Sequence, residues 1–105
     1  MTITTTQTVP VIQRARSAET TPDQLATLLH NPNPVVAISI AQRPDLDTQL
    51  AETLACDTRA AVRLRVAKNT AAPVHVLEKL QEDVSAQVRS AATDTLVMKT
   101  MRRES

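Results

Sequence analysis

The sequence predicts an all-α protein built from a repeated unit, and three observations support this prediction. The 105 residues include no glycine, which tight β-hairpin turns favour, and six prolines interrupt the chain instead. Similar segments, NPNPVVAISIA, DTRAAVRLRVA and DVSAQVRSAAT, recur at intervals of 26 residues. Because Phe, Tyr and Trp are absent, the core must consist of aliphatic side chains, which let helices approach closely. The length corresponds to one domain.

Equivalent positions of the repeat carry similar residues. The sets are Ala15, Ala41, Ala67 and Thr93; Leu28, Leu54 and Leu80; Asn31, Asp57 and Asp83; Val36, Val62 and Val88; and Ile40, Val66 and Ala92. The predicted repeats are residues 15–40, 41–66 and 67–92. Chance does not readily place several such sets in one chain at a constant spacing.

The first half of each unit predicts a short amphipathic helix. These segments are TPDQLATLLH, DTQLAETLAC and PVHVLEKLQE, in which apolar residues recur three and four positions apart. The first begins with a helix start signal: Thr21 as N-cap, Pro22 at the first helical position and Gln24 closing a capping box.

The second half of each unit predicts one or two turns of α- or 3₁₀-helix. Its apolar residues are four apart, and Asn31, Asp57 and Asp83 can cap the turn that opens it. Helices shorter than about 12–15 residues are marginal in water by themselves. Each unit must therefore bury its apolar side against the next one, as in helical solenoids.

The two ends depart from the repeat. Residues 1–14 are rich in threonine and predict a flexible arm, of which Val11 and Ile12 could fold back on the first repeat. Beyond Val88 the pattern predicts one longer helix with an apolar stripe of Leu96, Val97 and Met101. This helix would cap a repeat domain of residues 15–98, followed by a basic tail of residues 99–105.

The segments AQRPDLDTQLAETLACDTRAAVRLRVA and AKNTAAPVHVLEKLQEDVSAQVRSAA resemble the leucine-rich repeat variant family. That family's pattern runs roughly Ala-x-Asn-Pro, Thr-Pro, Leu-x-x-Leu-Ala, Asp and Val-Arg-x-x-Val-Ala. The resemblance implies a right-handed superhelix of alternating α- and 3₁₀-helices, related in shape to HEAT and armadillo arrays. The first unit departs from the pattern, since VVAISIA lacks the arginine. Cys56 is the only cysteine, so the cysteine-rich iron–sulfur module of some members has no counterpart.

The sequence predicts no enzyme, no cofactor and no metal site. Phosphate-binding loops of the Walker and Rossmann types need glycine. His30 and His75 are far apart in the chain with no carboxylate cluster in register, and His30 suits a helix C-terminus. Cys56 is also expected at a helix C-terminus, whereas helix N-termini activate thiols.

A basic cluster is the main candidate for function. Residues 59–68 carry four positive charges and no negative charge, although the whole chain is nearly neutral at +1. In one interpretation, Arg63 and Arg89 lay their stems over the repeat and pair with a neighbouring aspartate. In the other, an arginine stripe contacts an acidic partner. The candidate partner-binding residues are Arg59, Arg63, Arg65, Lys68, Arg89, Met98 and Met101.

The leading hypothesis is a non-enzymatic protein–protein interaction module that uses the extended surface of stacked repeats. The alternative is duplex nucleic-acid binding through phosphate contacts, in which Lys99, Arg102 and Arg103 join the stripe. Near-neutral charge argues against that alternative. A third hypothesis is self-association, including a homodimer through one open end of the array. No apolar run approaches the ~20 residues that span a bilayer, and MTITTTQTVPVI lacks the features of a signal peptide. A cytoplasmic protein is expected.

Overall fold

The structure is a computed structural model that describes the backbone of residues 8–104 and the side chains of residues 11–101. Within this range the chain forms seven α-helices and no strand. They are α1 (Thr8–Arg16), α2 (Pro22–Leu28), α3 (Pro34–Ala41), α4 (Thr48–Ala55), α5 (Ala60–Ala67), α6 (Val74–Leu80) and α7 (Ala86–Glu104). The all-α prediction is confirmed.

The helices form two rows. The odd-numbered helices pack successively, α1 on α3, α3 on α5 and α5 on α7, while α2 packs on α4 and α4 on α6. Helices of the odd row begin at residues 8, 34, 60 and 86, and those of the even row at residues 22, 48 and 74, so both rows advance by 26 residues. The principal extents are 55 × 30 × 17 Å, which makes the array longer than it is wide.

The core consists of the equivalent apolar positions. Val36, Val62 and Val88 are each at most 1% exposed. Ile40, Val66 and Ala92, four residues further along the same helices, are all completely buried. Burying a valine or isoleucine side chain contributes about 1.5–3 kcal/mol. The predicted apolar positions therefore form one continuous core along the odd row.

Side-chain caps at helix starts agree with the sequence. The Thr21 hydroxyl accepts from the Gln24 amide N–H at 3.2 Å, and the Gln24 side chain accepts from the Thr21 N–H at 2.9 Å. Asn31, Asp57 and Asp83 each accept from the backbone N–H two residues later, at 2.9, 2.8 and 2.9 Å. The predicted capping box and the predicted turn caps are both confirmed.

The second-half helices are α-helices rather than the 3₁₀-helices that the family resemblance implies. Both α3 and α5 have eight residues and two full turns. Their buried residues recur at a spacing of four, as Val62 and Val66 do in α5. This spacing matches the α-helical period, whereas a 3₁₀-helix aligns every third residue.

The N-terminal segment differs from the predicted flexible arm. Helix α1 begins at Thr8 and packs against α3, with Ala15 completely buried and Val11 and Ile12 half-buried. Burial of this face outweighs the weak helix propensity of the local sequence. Pro10 is tolerated because it lies in the first turn, where the N–H has no helical partner. Residues 1–7 of the predicted arm lie outside the described residues.

The C-terminal helix is long, as predicted. Helix α7 continues to Glu104, so the backbone of residues 99–104 is helical rather than a separate tail. The helix packs on α5 and α6 through Val88, Ala92 and Thr95. Val97 and Met101 from the predicted apolar stripe are instead 51% and 63% exposed, because they lie away from the buried side of the helix.

Polar side chains tie each odd helix to the one before it. A side chain at one repeat position donates to a backbone carbonyl 28 residues earlier, at the C-terminal end of the preceding odd helix. The pairs are Arg43 with Ala15, Asn69 with Ala41, and Thr95 with Ala67. The last carbonyls of a helix have no partner within it, and these three belong to completely buried alanines. The ties satisfy groups that burial would otherwise leave unpaired.

The ties share a register although their residue types differ. The Arg43 guanidinium also donates to the Ser17 carbonyl at 2.8 Å, and the Asn69 amide also donates to the Arg43 carbonyl at 2.8 Å. Both second acceptors lie 26 residues before the donor. In the last layer Lys99 assists, donating to the Thr70 carbonyl at 2.7 Å. Each layer therefore docks on its predecessor in the same alignment.

Candidate interaction surface

Arg63, at the centre of the predicted basic stripe, is engaged inside the molecule. Its guanidinium donates to both carboxylate oxygens of Asp83, at 2.7 and 3.1 Å, and to the Asp57 carbonyl at 2.8 Å. The side chains of Arg63 and Asp83 are 12% and 8% exposed. The interpretation in which Arg63 pairs with an aspartate of the neighbouring unit matches this geometry.

Two further arginines of the stripe are held locally. Arg59 forms a two-point ion pair with Asp57, with both N–O distances 3.0 Å. Arg89, at the repeat position equivalent to Arg63, donates to the carbonyls of Asp83 and Val84 at 2.8 and 3.3 Å. Arg59, Arg63 and Arg89 are therefore used in holding the turns that precede α5 and α7.

These contacts shift the acid–base equilibria of their members. The hydrogen bond from Arg59 lowers the pKa of Asp57, and the hydrogen bonds from Arg63 lower the pKa of Asp83. In return, the carboxylates raise the pKa of Arg59 and of Arg63. Both ion pairs are therefore fully charged at neutral pH.

Arg65 and Lys68 differ from the other cations of the stripe. Arg65 is half-buried and Lys68 is exposed, and neither makes an ion pair or a side-chain hydrogen bond within the described part of the chain. Together they line a depression of about 330 Å³, whose other wall includes Gln42 and Pro44 after the end of α3. Two positive charges thus remain available at the C-terminal end of α5.

A larger groove adjoins this depression at Lys68. We call it the α5–α7 groove; it has a volume of about 680 Å³ and is lined by Leu64, Lys68, Ala86, Gln87, Ser90, Ala91, Asp94, Thr95 and Met98. Its apolar part includes the half-buried Leu64 and Ala91 and the 47% exposed Met98. Met101, which was predicted together with Met98, is not among the lining residues. Arg102 and Arg103 have side chains outside the described residues.

The positive charge is confined to one layer of the odd row. The position of Lys68 is occupied by Gln42 in the preceding unit and by Asp94 in the following one. The position of Arg65 is occupied by the buried Ser39 and by Ala91. A ligand that lies along the row therefore meets cations at α5, and a neutral or acidic residue on either side of them.

The sequence did not reveal the apolar half of this surface. Leu64 lies two residues from Val62 and Val66, so it does not follow the four-residue spacing of the buried positions. An apolar residue outside that spacing was the available signal for a surface contact. Ala91 and Asp94 gave no such signal, since both residue types are common on exposed helix faces.

The remaining chemical groups form no larger cluster. His75 Nε2 lies 2.8 Å from Glu52 Oε2 on the exposed side of the even row. Cys56 is exposed, and Lys79 Nζ donates to its sulfur at 3.4 Å. His30 lines a depression between α2 and α4. Among the described residues, no three His, Cys, Asp or Glu side chains lie close enough together to hold a metal ion.

None of the helices in the described range combines the length and the apolar character needed to cross a membrane. Comparisons with known proteins give no match: no family model, no curated protein and no solved structure is significantly similar to this chain.

Proposed function

We propose that the chain is a short right-handed α-solenoid of three 26-residue repeats, similar to the leucine-rich repeat variant proteins, and acts as a non-enzymatic protein-binding module in the cytoplasm. The constant spacing of helix starts and the ties of equal register support the repeat architecture. Stacked repeats present extended surfaces that commonly serve for binding.

The α5–α7 groove is the observation that carries the proposal. Apolar lining next to unpaired cations is the composition of a binding site for another protein, since apolar contact supplies affinity and charge supplies orientation. The other arginines of the stripe are already occupied by Asp57 and Asp83. Binding is therefore assigned to Arg65, Lys68 and Met98 out of the residues predicted from sequence.

The same contacts weigh against duplex nucleic acid as the ligand. Arg59, Arg63, Arg89 and Lys99 would each have to give up an intramolecular contact to reach a phosphate. Arg65 and Lys68 alone offer few phosphate contacts, whereas duplex binding normally needs several spread along the helix.

Site-directed photocrosslinking in the native cell tests the proposal. A benzophenone amino acid at Gln87, an exposed residue of the groove, should give a nuclease-resistant adduct with a specific protein. The same group at Glu78, exposed on α6, is the matched control and should not give that adduct. The absence of a protein adduct specific to Gln87 would contradict a protein-binding role for this groove. An adduct of the chain with itself would favour the self-association hypothesis.

A further inference from the structure

We infer that the α5–α7 groove recognises a short acidic-aliphatic segment of a partner protein, in which an aliphatic side chain is followed or preceded closely by two carboxylates. This inference rests on the proposed function and specifies the chemistry of the ligand. The aliphatic side chain packs against Leu64, Ala91 and Met98, and the carboxylates pair with Arg65 and Lys68.

The size and lining of the groove favour a short segment. Its volume of about 680 Å³ falls within the range of sites that enclose small ligands or a few side chains, ~300–1,000 Å³. Leu64 and Ala91 are already half-buried, so one aliphatic group completes their burial. Met98 is 47% exposed and has a flexible thioether side chain that can adapt to different aliphatic shapes.

The charges favour carboxylates over other anions. Arg65 and Lys68 make no ion pair within the described residues, so an incoming carboxylate displaces no internal partner. The acidic group must be compact, because Asp94 lies on the α7 side of the groove and repels charge placed there. A nucleic-acid backbone carries charge at regular intervals and would place phosphates near Asp94 as well as near Lys68.

Peptide selection on the intact protein tests this inference. A phage library of random 12-residue peptides is selected on the full chain, and the most enriched peptides are synthesised with a fluorescent label for anisotropy titration. Enriched peptides should carry at least two Asp or Glu within about four positions of Leu, Ile, Val or Met, the reach of neighbouring side chains on a short segment. The double variant Arg65→Glu/Lys68→Glu should weaken binding by at least about tenfold.

Three controls separate charge recognition from unfolding. Lys79→Glu changes an exposed lysine on α6 and should leave the affinity within about twofold. The neutral pair Arg65→Gln/Lys68→Gln removes attraction without adding repulsion and should weaken binding by an intermediate factor. Leu64→Ser should also weaken binding, while circular dichroism shows that each variant retains the helical content of the wild type.

Several outcomes would overturn the inference. They are failure to enrich any peptide, enrichment of peptides without acidic residues, and peptide affinity that is unchanged in both double variants. Displacement of the peptide by duplex DNA, or a wild-type dimer that Lys68→Glu dissociates, would assign the groove to another occupant. A protein adduct at Gln87 that persists in the double variant would leave the protein-binding function standing and refute only this recognition chemistry.

Discussion

Removing the side-chain tie at Asn69 should destabilise the whole array. The Asn69 amide donates to the carbonyls of Ala41 and Arg43, and its side-chain oxygen accepts from the Ala71 N–H at 2.8 Å. Asn69→Ala deletes all three hydrogen bonds. It also leaves the Ala41 carbonyl, at the buried end of α3, without this donor.

The expected loss is about 3 kcal/mol in the free energy of unfolding, since each hydrogen bond contributes about 1 kcal/mol and an unpaired buried carbonyl adds a similar cost. With a urea slope of about 1.5 kcal/mol/M, the midpoint should fall by about 2 M. Such a loss is a large part of the stability of a domain of this size, about 5–15 kcal/mol.

Urea titration followed by far-ultraviolet circular dichroism is the suitable assay, because the chain has no aromatic residue to report by fluorescence. Gln49→Ala is the matched control: Gln49 is exposed on α4, so its loss should change stability by less than about 0.5 kcal/mol. Asn69→Asp keeps the acceptor but places a carboxylate beside two carbonyls, so it should cost at least as much as alanine. A loss below about 0.5 kcal/mol for Asn69→Ala would refute the idea that the ties hold the layers together.

Three further predictions concern stability. Asp83→Asn should cost about 3 kcal/mol at neutral pH, because it leaves the largely buried Arg63 without its counter-charge. The folded chain holds the pKa of Asp83 below its ordinary value of 3.8, so this stabilisation is complete above about pH 5 and is lost as the pH falls through 3.8 towards the folded value. Urea midpoints measured from pH 7 to about pH 3 should therefore decline less steeply in Asp83→Asn than in the wild type, and equal slopes would contradict the assignment. Arg43→Lys should cost about 2 kcal/mol, because an ammonium cannot make the four contacts of this 3% exposed guanidinium, and a variant as stable as the wild type would show those contacts to be dispensable. Thr21→Ala should lower the unfolding free energy by about 1 kcal/mol through loss of the α2 N-cap, and Thr21→Ser should restore it. Thermal unfolding of the alanine and serine variants side by side measures this effect.

The sequence predicts the core well, because periodic apolar residues leave few choices. Val62 and Val66 define the buried face of α5 by their spacing alone, and Asp57 defines the turn before it. These features follow from local geometry and from the requirement that each unit bury its apolar side. Agreement is closest where one residue type satisfies one physical demand in every repeat.

The ties were not predictable by the same reasoning. Arg43, Asn69 and Thr95 share a position but not a residue type, so a comparison by identity passes over them. Their common property is the capacity to donate a hydrogen bond from a buried site, which becomes apparent only when the carbonyl of the previous layer is located. Helix α1 was missed for a related reason, because its burial depends on α3 and not on its own threonine-rich sequence.

The candidate surface was predicted in part. Sequence reasoning identified the basic residues 59–68 but did not divide them into engaged and available groups. That division depends on Asp83, which lies 20 positions from Arg63 along the chain and contacts it only after the repeats stack. Charge patterns in a repeat protein therefore have to be considered across neighbouring units.

The main-chain half of each tie has a consequence for how such a chain can change over time. A carbonyl is present whatever amino acid occupies the acceptor position, so only the donor is subject to sequence drift. Guanidinium, carboxamide and hydroxyl groups of very different reach all fulfil that role here. Units of this kind can consequently diverge, be duplicated or be exchanged while still fitting one another.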